Sequence, residues 1–241
     1  MKKIKWNDVR LVLMLGLVIF LYSFSSKRNE SRKLKGADIE FTDNENFITL
    51  EKVNKLLIQN YGNVMGIEKV KLDLGSVEKT LDKNPMIQNA EVFATVDGKL
   101  KAVITQRKPI ARVYDGDSSY YIDYEGRQMP LSENYTARVP LVSGDINRVG
   151  KKQLHELLRY IYDDDFLKKN IIGIEVNPSG GVVMKNRNYD CEIFLGSVVS
   201  IDRKFNNYKA FFQDAIQQDT LIEQYKTINL KFTQQVVCTK K

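Results

Sequence analysis

Hydrophobic positions follow three different patterns along the chain, and each pattern predicts a different kind of structure. The first is a continuous apolar run, residues 11–26, without a single charge. In the second, residues 37–107, helical and strand periodicities alternate over short distances. In the third, residues 108–241, short strand-like runs recur between turn residues. We therefore predict an α+β protein with a single N-terminal transmembrane helix, a small α/β domain and a mostly antiparallel β-domain that contains helices.

The apolar run is long enough to cross a membrane once its basic flanks are included. Its sixteen residues would form a helix of about 24 Å, against a hydrocarbon core of about 30 Å. Arg10 and Lys27 can extend it by reaching the interface. A buried core helix would show a polar face, which the run lacks, and a signal peptide would need a better small-residue cleavage site than 23–25. Residues 11–26 are therefore interpreted as an uncleaved transmembrane helix.

The distribution of charge bears on partners and on orientation. The net charge is +7, and residues 1–35 hold the whole excess, with nine basic and two acidic side chains, while the remainder carries 28 of each sign. A body without a basic surplus argues against nucleic acid as a partner. Four basic residues precede the apolar run and five follow it, so the positive-inside count does not fix the orientation. The large domain that follows favours a cytoplasmic tail, residues 1–10, and an extracytoplasmic polar tether, residues 27–36.

The small α/β domain shows local signals for its elements. Thr49 is placed to cap a first helix. An extended stretch from Val64 to Leu74 follows, and Ser76 begins a second helix. Asp97-Gly98 joins the last two strands as a tight hairpin. The predicted order is strand, helix, strand, helix, strand, strand.

The last part of the chain, residues 108–241, alternates strand-like runs with Gly, Asp, Asn and Pro turns, which is typical of an antiparallel sheet. Two amphipathic helices interrupt it, at 149–164 and 202–219. The chain then shows strict alternation from Ile228 to Cys238, which predicts a half-buried strand. No turn signal or further strand follows, so we expect this strand to lie at the edge of the sheet.

Residue types that serve catalysis or bind metals occur in the chain, but not in the spacing that such chemistry needs. His155 is the only histidine and lies inside an amphipathic helix, with no serine or cysteine nucleophile whose motif points to it. The acids at 163–165 lack the ligand spacing of a calcium loop. The glycine pair at 180–181 lacks the Lys-Ser/Thr of a phosphate-binding loop. We therefore predict that the protein is not an enzyme and binds no cofactor or metal.

The two cysteines, Cys191 and Cys238, are far apart in sequence and show no metal-ligand spacing. In an oxidising compartment they would be able to form one disulfide. Alternatively, they are two small buried apolar residues. The sequence leaves both interpretations open.

An ordered set of short segments runs from the end of the second helix to the last strand. The segments are Asn84-Pro85, Ala90-Glu91-Val92, Gln106–Ala111, Tyr120–Pro130, Arg138–Gly144 and Tyr225–Cys238. In this order, with a single span and a tether before them, they resemble the bacterial cell-division family FtsQ/DivIB, whose members join a POTRA domain to a β-domain. Two features depart from the family's pattern: the charges around the span are nearly balanced, and no aromatic residue lies near the last residues.

The resemblance implies a non-catalytic scaffold of the divisome, the assembly that divides the cell. Such a protein is a single-pass type II protein of the inner membrane at the septum, with a cytoplasmic N-terminus and its bulk in the periplasm. It links early and late division proteins by binding single-span partners of the FtsB and FtsL type. Other divisome proteins contact the POTRA domain, which is residues 37–107 here.

The resemblance and the C-terminal alternation together give a hypothesis for the partner-binding site. An edge strand exposes backbone groups that a partner strand can pair with, so we expect the edge strand 228–238 to receive a strand from an FtsB-type partner. By similarity to the family's basic–aromatic pair, Lys231 would meet an acidic side chain and Phe232 would pack on its neighbour. The alternative is that Phe232 belongs to the core. The predicted partner-binding residues are Leu230, Lys231, Phe232, Thr233, Gln234 and Val236.

The residues also allow two other functions. One is a POTRA-bearing transport or assembly component that handles unfolded strands by the same edge addition, although the sequence lacks the alternating lipid-facing segments of an outer-membrane barrel. The other is a membrane-anchored extracytoplasmic hydrolase that depends on His155.

Overall fold

The structure is a computed structural model in which residues 6–30, 33–43, 47–62, 66–68, 72–116, 118–217 and 222–241 are described. The chain divides into two compact units between Gln106 and Arg107. This division falls one residue before the boundary expected from the change in hydrophobic pattern.

An apolar helix, α1 (Trp6–Glu30), opens the described chain. Its segment from Val9 to Arg28 has a mean hydropathy of 1.9, and 0% of its most apolar stretch is buried. A helix this long and this apolar, with its sides exposed, fits a membrane anchor. Lys27 to Glu30, assigned above to the tether, continue the helix. Lys27 and Arg28 lie in its last turn, where basic side chains interact favourably with the helix dipole.

The rest of the first unit is a three-stranded sheet with two helices. Its elements are β1 (Gly36–Phe41), α2 (Leu50–Tyr61), α3 (Leu74–Asp82), β2 (Ile87–Ala94) and β3 (Lys99–Gln106). The sheet order is β1-β3-β2, with β1 parallel and β2 antiparallel to β3. Val53 and Leu57 of α2 and Val77 and Leu81 of α3 are buried in one core with the sheet. Five residues of the extended stretch predicted from Val64 to Leu74 lie outside the described residues. The described part of it forms no strand: Glu68 makes an isolated bridge with Lys33, and Leu74 already begins α3.

Local hydrogen bonds set the ends of these elements. The Thr49 hydroxyl accepts from the Lys52 N–H at the start of α2, as predicted. Helix α3 begins before the predicted Ser76, because the Asp73 carboxylate accepts from the Ser76 N–H and caps the helix earlier. Gly98 has a φ of 87°, which suits the tight turn predicted between β2 and β3.

Carboxylates of α3 cover the outer edge of β2. The Ala90 N–H donates to Asp82 at 2.9 Å, and the Val92 N–H donates to Glu78 at 2.8 Å. Without these side chains, both N–H groups would face any strand that approached the sheet from this side. The β2 edge is therefore blunted by hydrogen bonds from within the unit.

The second unit is built on a nine-stranded sheet. Its strands are β4 (Pro109–Asp115), β5 (Ser118–Asp123), β6 (Gln128–Met129), β7 (Leu141–Gly144), β8 (Ile171–Val176), β9 (Val182–Asn186), β10 (Glu192–Gly196), β11 (Tyr225–Asn229) and β12 (Val237–Lys240). Its helices are α4 (Lys151–Asp163), α5 (Asp165–Asn170) and α6 (Ile201–Gln217), with short 3-10 turns at Ile146–Arg148 and Ile222–Gln224. The strand order is β12-β11-β10-β9-β8-β7-β4-β5-β6, and five of the eight pairings are antiparallel, so the domain is mostly antiparallel as predicted.

The predicted apolar stripes of α4 and α6 pack into one core with this sheet. The buried stripe residues are Leu154, Leu157, Leu158 and Ile161 of α4 and Phe205, Tyr208 and Phe212 of α6. Tyr208 and Phe212 meet edge to face with ring centroids 4.8 Å apart. Ile216, which the periodicity places on the same stripe, is 68% exposed because it lies in the last turn of α6.

A buried ion pair holds the first residue of the second unit. Arg107 donates to Asp123 at 2.7 Å, and the two side chains are 9% and 2% exposed. The Asp123 carboxylate also accepts from the N–H groups of Glu125 and Arg127. These additional hydrogen bonds compensate the buried charge, whereas removal of one partner of such a pair costs about 3–5 kcal/mol.

The C-terminal alternation does not form one strand. The pattern predicts a single strand 228–238, but β11 ends at Asn229 and the chain turns through 230–236 before β12 runs back along β11. The turn begins where the Asn229 side-chain oxygen accepts from the Lys231 N–H, a local bond that replaces the ladder of a continuing strand. The apolar alternation persists through the turn, so periodicity alone does not reveal the break.

Replacing Glu78 with alanine should lower the free energy of unfolding by about 1–3 kcal/mol, because the Val92 N–H loses its acceptor in a partly buried position. Urea unfolding followed by circular dichroism measures the loss. Glu91→Ala is the matched control, since Glu91 is an exposed acid on β2 itself. Equal destabilisation by the two substitutions would contradict the conclusion that Glu78 stabilises the unit by covering the β2 edge.

Candidate partner-binding edge

Strand β12 is the outermost strand on one side of the nine-stranded sheet, and β6 is the outermost on the other. β6 has only two residues, and so short an edge offers little backbone to a partner. No strand in the described part of the chain pairs with the outer edge of β12. Of these two outer strands, β12 is therefore the one that can accept a further strand.

The hydrogen-bond ladder shows which backbone groups of β12 face outward. Cys238 lies opposite Ile228. On the other side of β11, the Leu230 N–H donates to the Phe194 carbonyl at 2.8 Å. Because N–H groups alternate in direction along a strand, the Ile228 N–H also points to β10, and Ile228 and Cys238 share no mutual hydrogen bond. The N–H of Cys238, and by alternation that of Lys240, therefore faces the open edge.

A hydrogen bond of Lys241 also indicates that the Lys240 N–H faces the open edge. The Lys241 N–H donates to the Gln224 carbonyl at 2.8 Å, back toward the β11 side, so the preceding N–H of Lys240 points the other way. The Cys238 side chain packs partly buried against the core, whereas Val237 is 41% exposed. β12 thus combines outward-facing backbone groups with an exposed apolar side chain.

The turn between β11 and β12 carries the predicted partner-binding residues. Leu230 is fully buried and belongs to the core, whereas Phe232 is 52% exposed and does not. The Lys231 side chain lies over Gly196, where a Cβ atom would approach Lys231 Cγ to 2.8 Å. Its ammonium group lies 5.8 Å from the centroid of the Phe194 ring. Glycine at position 196 therefore makes room for Lys231.

Thr233, Gln234 and Val236 complete the turn. The Thr233 carbonyl accepts from the side-chain amide of Asn207 on α6 at 3.0 Å. Gln234 is exposed, and Val236 packs partly buried against the core. The turn is thus attached to the body while Phe232 points into solvent. These residues border the open edge, whose backbone groups belong to Val237–Lys240.

The loop that follows β10 was not predicted from the sequence as part of this surface. Because β10 and β11 are parallel, this loop and the turn after β11 lie at the same end of the sheet. Val199 in this loop is 58% exposed, and Ser200 has a positive φ of 53°, which is unfavourable for a residue with a Cβ atom. Lys204, which is 3% exposed, donates to the carbonyls of Leu195 at 2.9 Å and Ser197 at 2.7 Å. Burial lowers the pKa of the Lys204 amine. These hydrogen bonds fix the shape of the loop, and no sequence motif predicts them.

Cys191 and Cys238 are free thiols in the structure. Cys191 immediately precedes β10, and β11 lies between β10 and the strand of Cys238. Strands two positions apart in a sheet are separated by about 10 Å, more than the Cα separation of about 7 Å that a disulfide can span. Burial raises the pKa of Cys191 to about 11 and also raises that of Cys238. The structure therefore favours the interpretation of two small apolar residues.

The histidine and the acids considered for catalysis have partners within the fold. His155 Nε2 lies 3.0 Å from the Tyr124 carbonyl oxygen. Asp163 accepts from the Tyr124 hydroxyl, and Asp164 caps α5 and forms an ion pair with Lys209. Within the described ranges, no group of three His, Cys, Asp or Glu side chains is placed to hold a metal ion.

Replacing Phe232 with alanine should lower the free energy of unfolding by about 1 kcal/mol or less, because about half of the side chain is already in water and it lies outside the core. Leu230→Ala, two residues earlier in the same turn, should lower it by about 2–5 kcal/mol, because it opens a cavity in the core. Urea unfolding of both variants beside the native chain makes the comparison. If Phe232→Ala lowers the free energy of unfolding as much as Leu230→Ala does, Phe232 is a core residue.

Comparison with known protein families identifies both units. A family model described as FtsQ/DivIB, C-terminal related, matches residues 108–239, which is more than half of the chain. A model described as a POTRA-like domain matches residues 35–105. None of the curated proteins compared with the chain matches it significantly. The turn 230–236 and most of β12 lie within the first match.

Proposed function

The chain belongs to the FtsQ/DivIB family, and from this premise we propose that it is a membrane-anchored, non-catalytic scaffold of the divisome. The family is a class of non-enzymatic scaffolds. In this proposal the protein links early and late cell-division proteins at the septum. Its partners are single-span division proteins of the FtsB and FtsL type, together with other divisome proteins that contact the POTRA-like unit.

The open outer edge of β12 carries the proposal. A partner strand that adds to this edge would pair with the outward N–H and C=O groups of Cys238 and Lys240. Each such hydrogen bond contributes about 0.5–1.5 kcal/mol, and alternate side chains of the partner would supply specificity. The edge offered is Val237–Lys240, so the partner strand docks on the returning strand rather than on the continuous strand 228–238 expected from the sequence.

The turn before β12 supplies side chains to the same surface. Phe232 is half exposed and aromatic, and aromatic residues including phenylalanine are enriched in the buried core of protein interfaces. Lys231 brings a positive charge, and the position of its side chain over Gly196 places that charge beside the turn. An acidic residue beside the added strand of an FtsB-type partner would pair with Lys231, and an apolar residue would cover Phe232.

The N-terminal helix sets the compartment in this proposal. α1 is the one candidate span that the described residues contain, and both folded units follow it. We place the N-terminus in the cytoplasm and both units in the periplasm. Because Glu78 and Asp82 cover the β2 edge of the POTRA-like unit, other division proteins would contact that unit through a different surface.

A proline at Lys240 tests strand addition at β12. Lys240→Pro removes an outward N–H without removing a hydrogen bond to β11, and proline is tolerated on edge strands. We expect Lys240→Pro to weaken binding of the extracytoplasmic segment of the FtsB-type partner by about tenfold or more. Isothermal titration calorimetry with the full chain in detergent measures the affinity.

Lys240→Ala is the matched control for this experiment, since it removes the same charge and keeps the N–H. It should bind within about threefold of the native chain, because an exposed charge contributes little. Circular dichroism establishes that both variants stay folded. Equal affinities for Lys240→Pro and Lys240→Ala would exclude strand addition at this edge.

A further inference from the structure

The end of the first unit that follows α1 carries a basic cleft beside an exposed apolar side chain. The cleft has a volume of about 890 Å³ and is lined by Arg28, Lys33, Leu34, Lys35, Val96, Asp97 and Gly98. Three of these side chains are basic, and Asp97 is the acid among them. At the tip of the hairpin between β2 and β3, the Val96 side chain is 82% exposed. The volume is within the range of sites that hold small molecules.

Backbone contacts hold the chain after α1 against this hairpin. Leu34 is 2% exposed and packs in the core of the unit. The Lys35 N–H donates to the Gly98 carbonyl at 2.7 Å. A Cβ atom at Gly98 would come within 3.2 Å of the Lys33 carbonyl oxygen, so the two segments touch. Lys33 and Lys35 therefore have defined positions beside the hairpin tip.

The candidate membrane span ends close to the cleft. The apolar segment ends at Arg28, which itself lines the cleft, and the helix continues to Glu30. The five residues from there to Lys35 reach at most about 18 Å when fully extended. The headgroup layer adds about 5–8 Å beyond each face of the hydrocarbon core. A membrane crossed by α1 would therefore present its headgroups to this end of the unit.

Asp97 offsets one of the three positive charges of the cleft, which leaves the lining with a net charge of +2. A hydrogen bond from the Thr95 side chain, another from its own backbone N–H and the nearby Lys99 and Lys35 lower the pKa of Asp97. The carboxylate is thus ionised at neutral pH and engaged by the hairpin. Lys33 and Arg28 add to the positive charge of the lining.

We propose that this cleft binds the phosphate of an anionic phospholipid and that Val96 inserts at the boundary between headgroups and acyl chains. The inference rests on the proposed membrane span of α1. Basic side chains are attracted to an anionic membrane surface by about 1 kcal/mol each, which corresponds to about fivefold in affinity. An exposed apolar side chain at the same surface gains by burial in the interface. The contact would set the height of the POTRA-like unit above the membrane, which a free tether would leave undefined.

Photo-crosslinking of the full chain in lipid nanodiscs tests the contact. One variant carries p-benzoylphenylalanine in place of Val96. The matched control carries it in place of Leu50, which is 48% exposed. Leu50 lies at the far end of the unit. The N–H of Ile48, two residues before it, donates to the Gln106 side chain, and Gln106 is at the opposite end of β3 from the hairpin. Mass spectrometry measures the lipid adducts in phosphatidylcholine nanodiscs with and without phosphatidylglycerol.

We expect a lipid adduct at position 96 and not at position 50, with a higher yield when phosphatidylglycerol is present. Lys33→Gln combined with Lys35→Gln should lower the yield at position 96 by about fivefold or more. A yield at position 96 that does not exceed that at position 50, or does not respond to lipid charge or to the lysines, overturns the proposal.

Alkaline extraction of the membranes distinguishes a missing lipid contact at the cleft from a missing transmembrane span at α1. A chain that resists extraction but forms no adduct at position 96 keeps its span and loses the lipid contact. A chain that alkali releases from the membrane loses both the span and the inference built on it.

Discussion

The backbone groups of an outermost strand need partners, and this constraint shapes both units of the protein. Three of the four outer strands in the described part of the chain meet it in different ways. Glu78 and Asp82 cover the edge of β2 with their carboxylates. β6 is limited to two residues. β12 keeps outward-facing N–H groups at Cys238 and Lys240, and in the function proposed here a partner strand satisfies them.

The open edge can select a partner only if β11 and β12 are held in place. Ile228 and Leu230 are fully buried, and the Leu230 N–H is bonded to β10. Asn207 of α6 holds the turn through the Thr233 carbonyl. Phe232 is therefore presented from a rigid base, which reduces the conformational entropy lost on binding.

The sequence predicts well where a signal is local. The charge-free run 11–26, the capping Thr49 and the hairpin at Asp97-Gly98 act over a few residues, and the structure has a helix, a cap and a turn there. The C-terminal break is different. Asn229 is the residue that redirects the chain, but an Asn at a partly buried strand position carries no unique signal, and the apolar alternation continues past it.

Contacts between residues that are distant in sequence cannot be predicted from local sequence patterns. Glu78 and Val92 are fourteen residues apart, and Arg107 and Asp123 are sixteen apart. Nothing in their spacing shows that the first pair covers a strand edge or that the second is a buried ion pair. The partner-binding residues expected from the sequence fall beside the open edge for the same reason: which strand is outermost depends on the order of the whole sheet.

Residue-resolved hydrogen exchange of the chain, alone and with its FtsB-type partner segment, tests strand addition at β12 most directly. In the free protein the amide hydrogens of Cys238 and Lys240 should exchange rapidly, while that of Thr239, which faces β11, is protected. The partner should protect Cys238 and Lys240 and leave Thr239 nearly unchanged. Protection that appears elsewhere, with Cys238 and Lys240 still exchanging rapidly in the complex, would contradict the account.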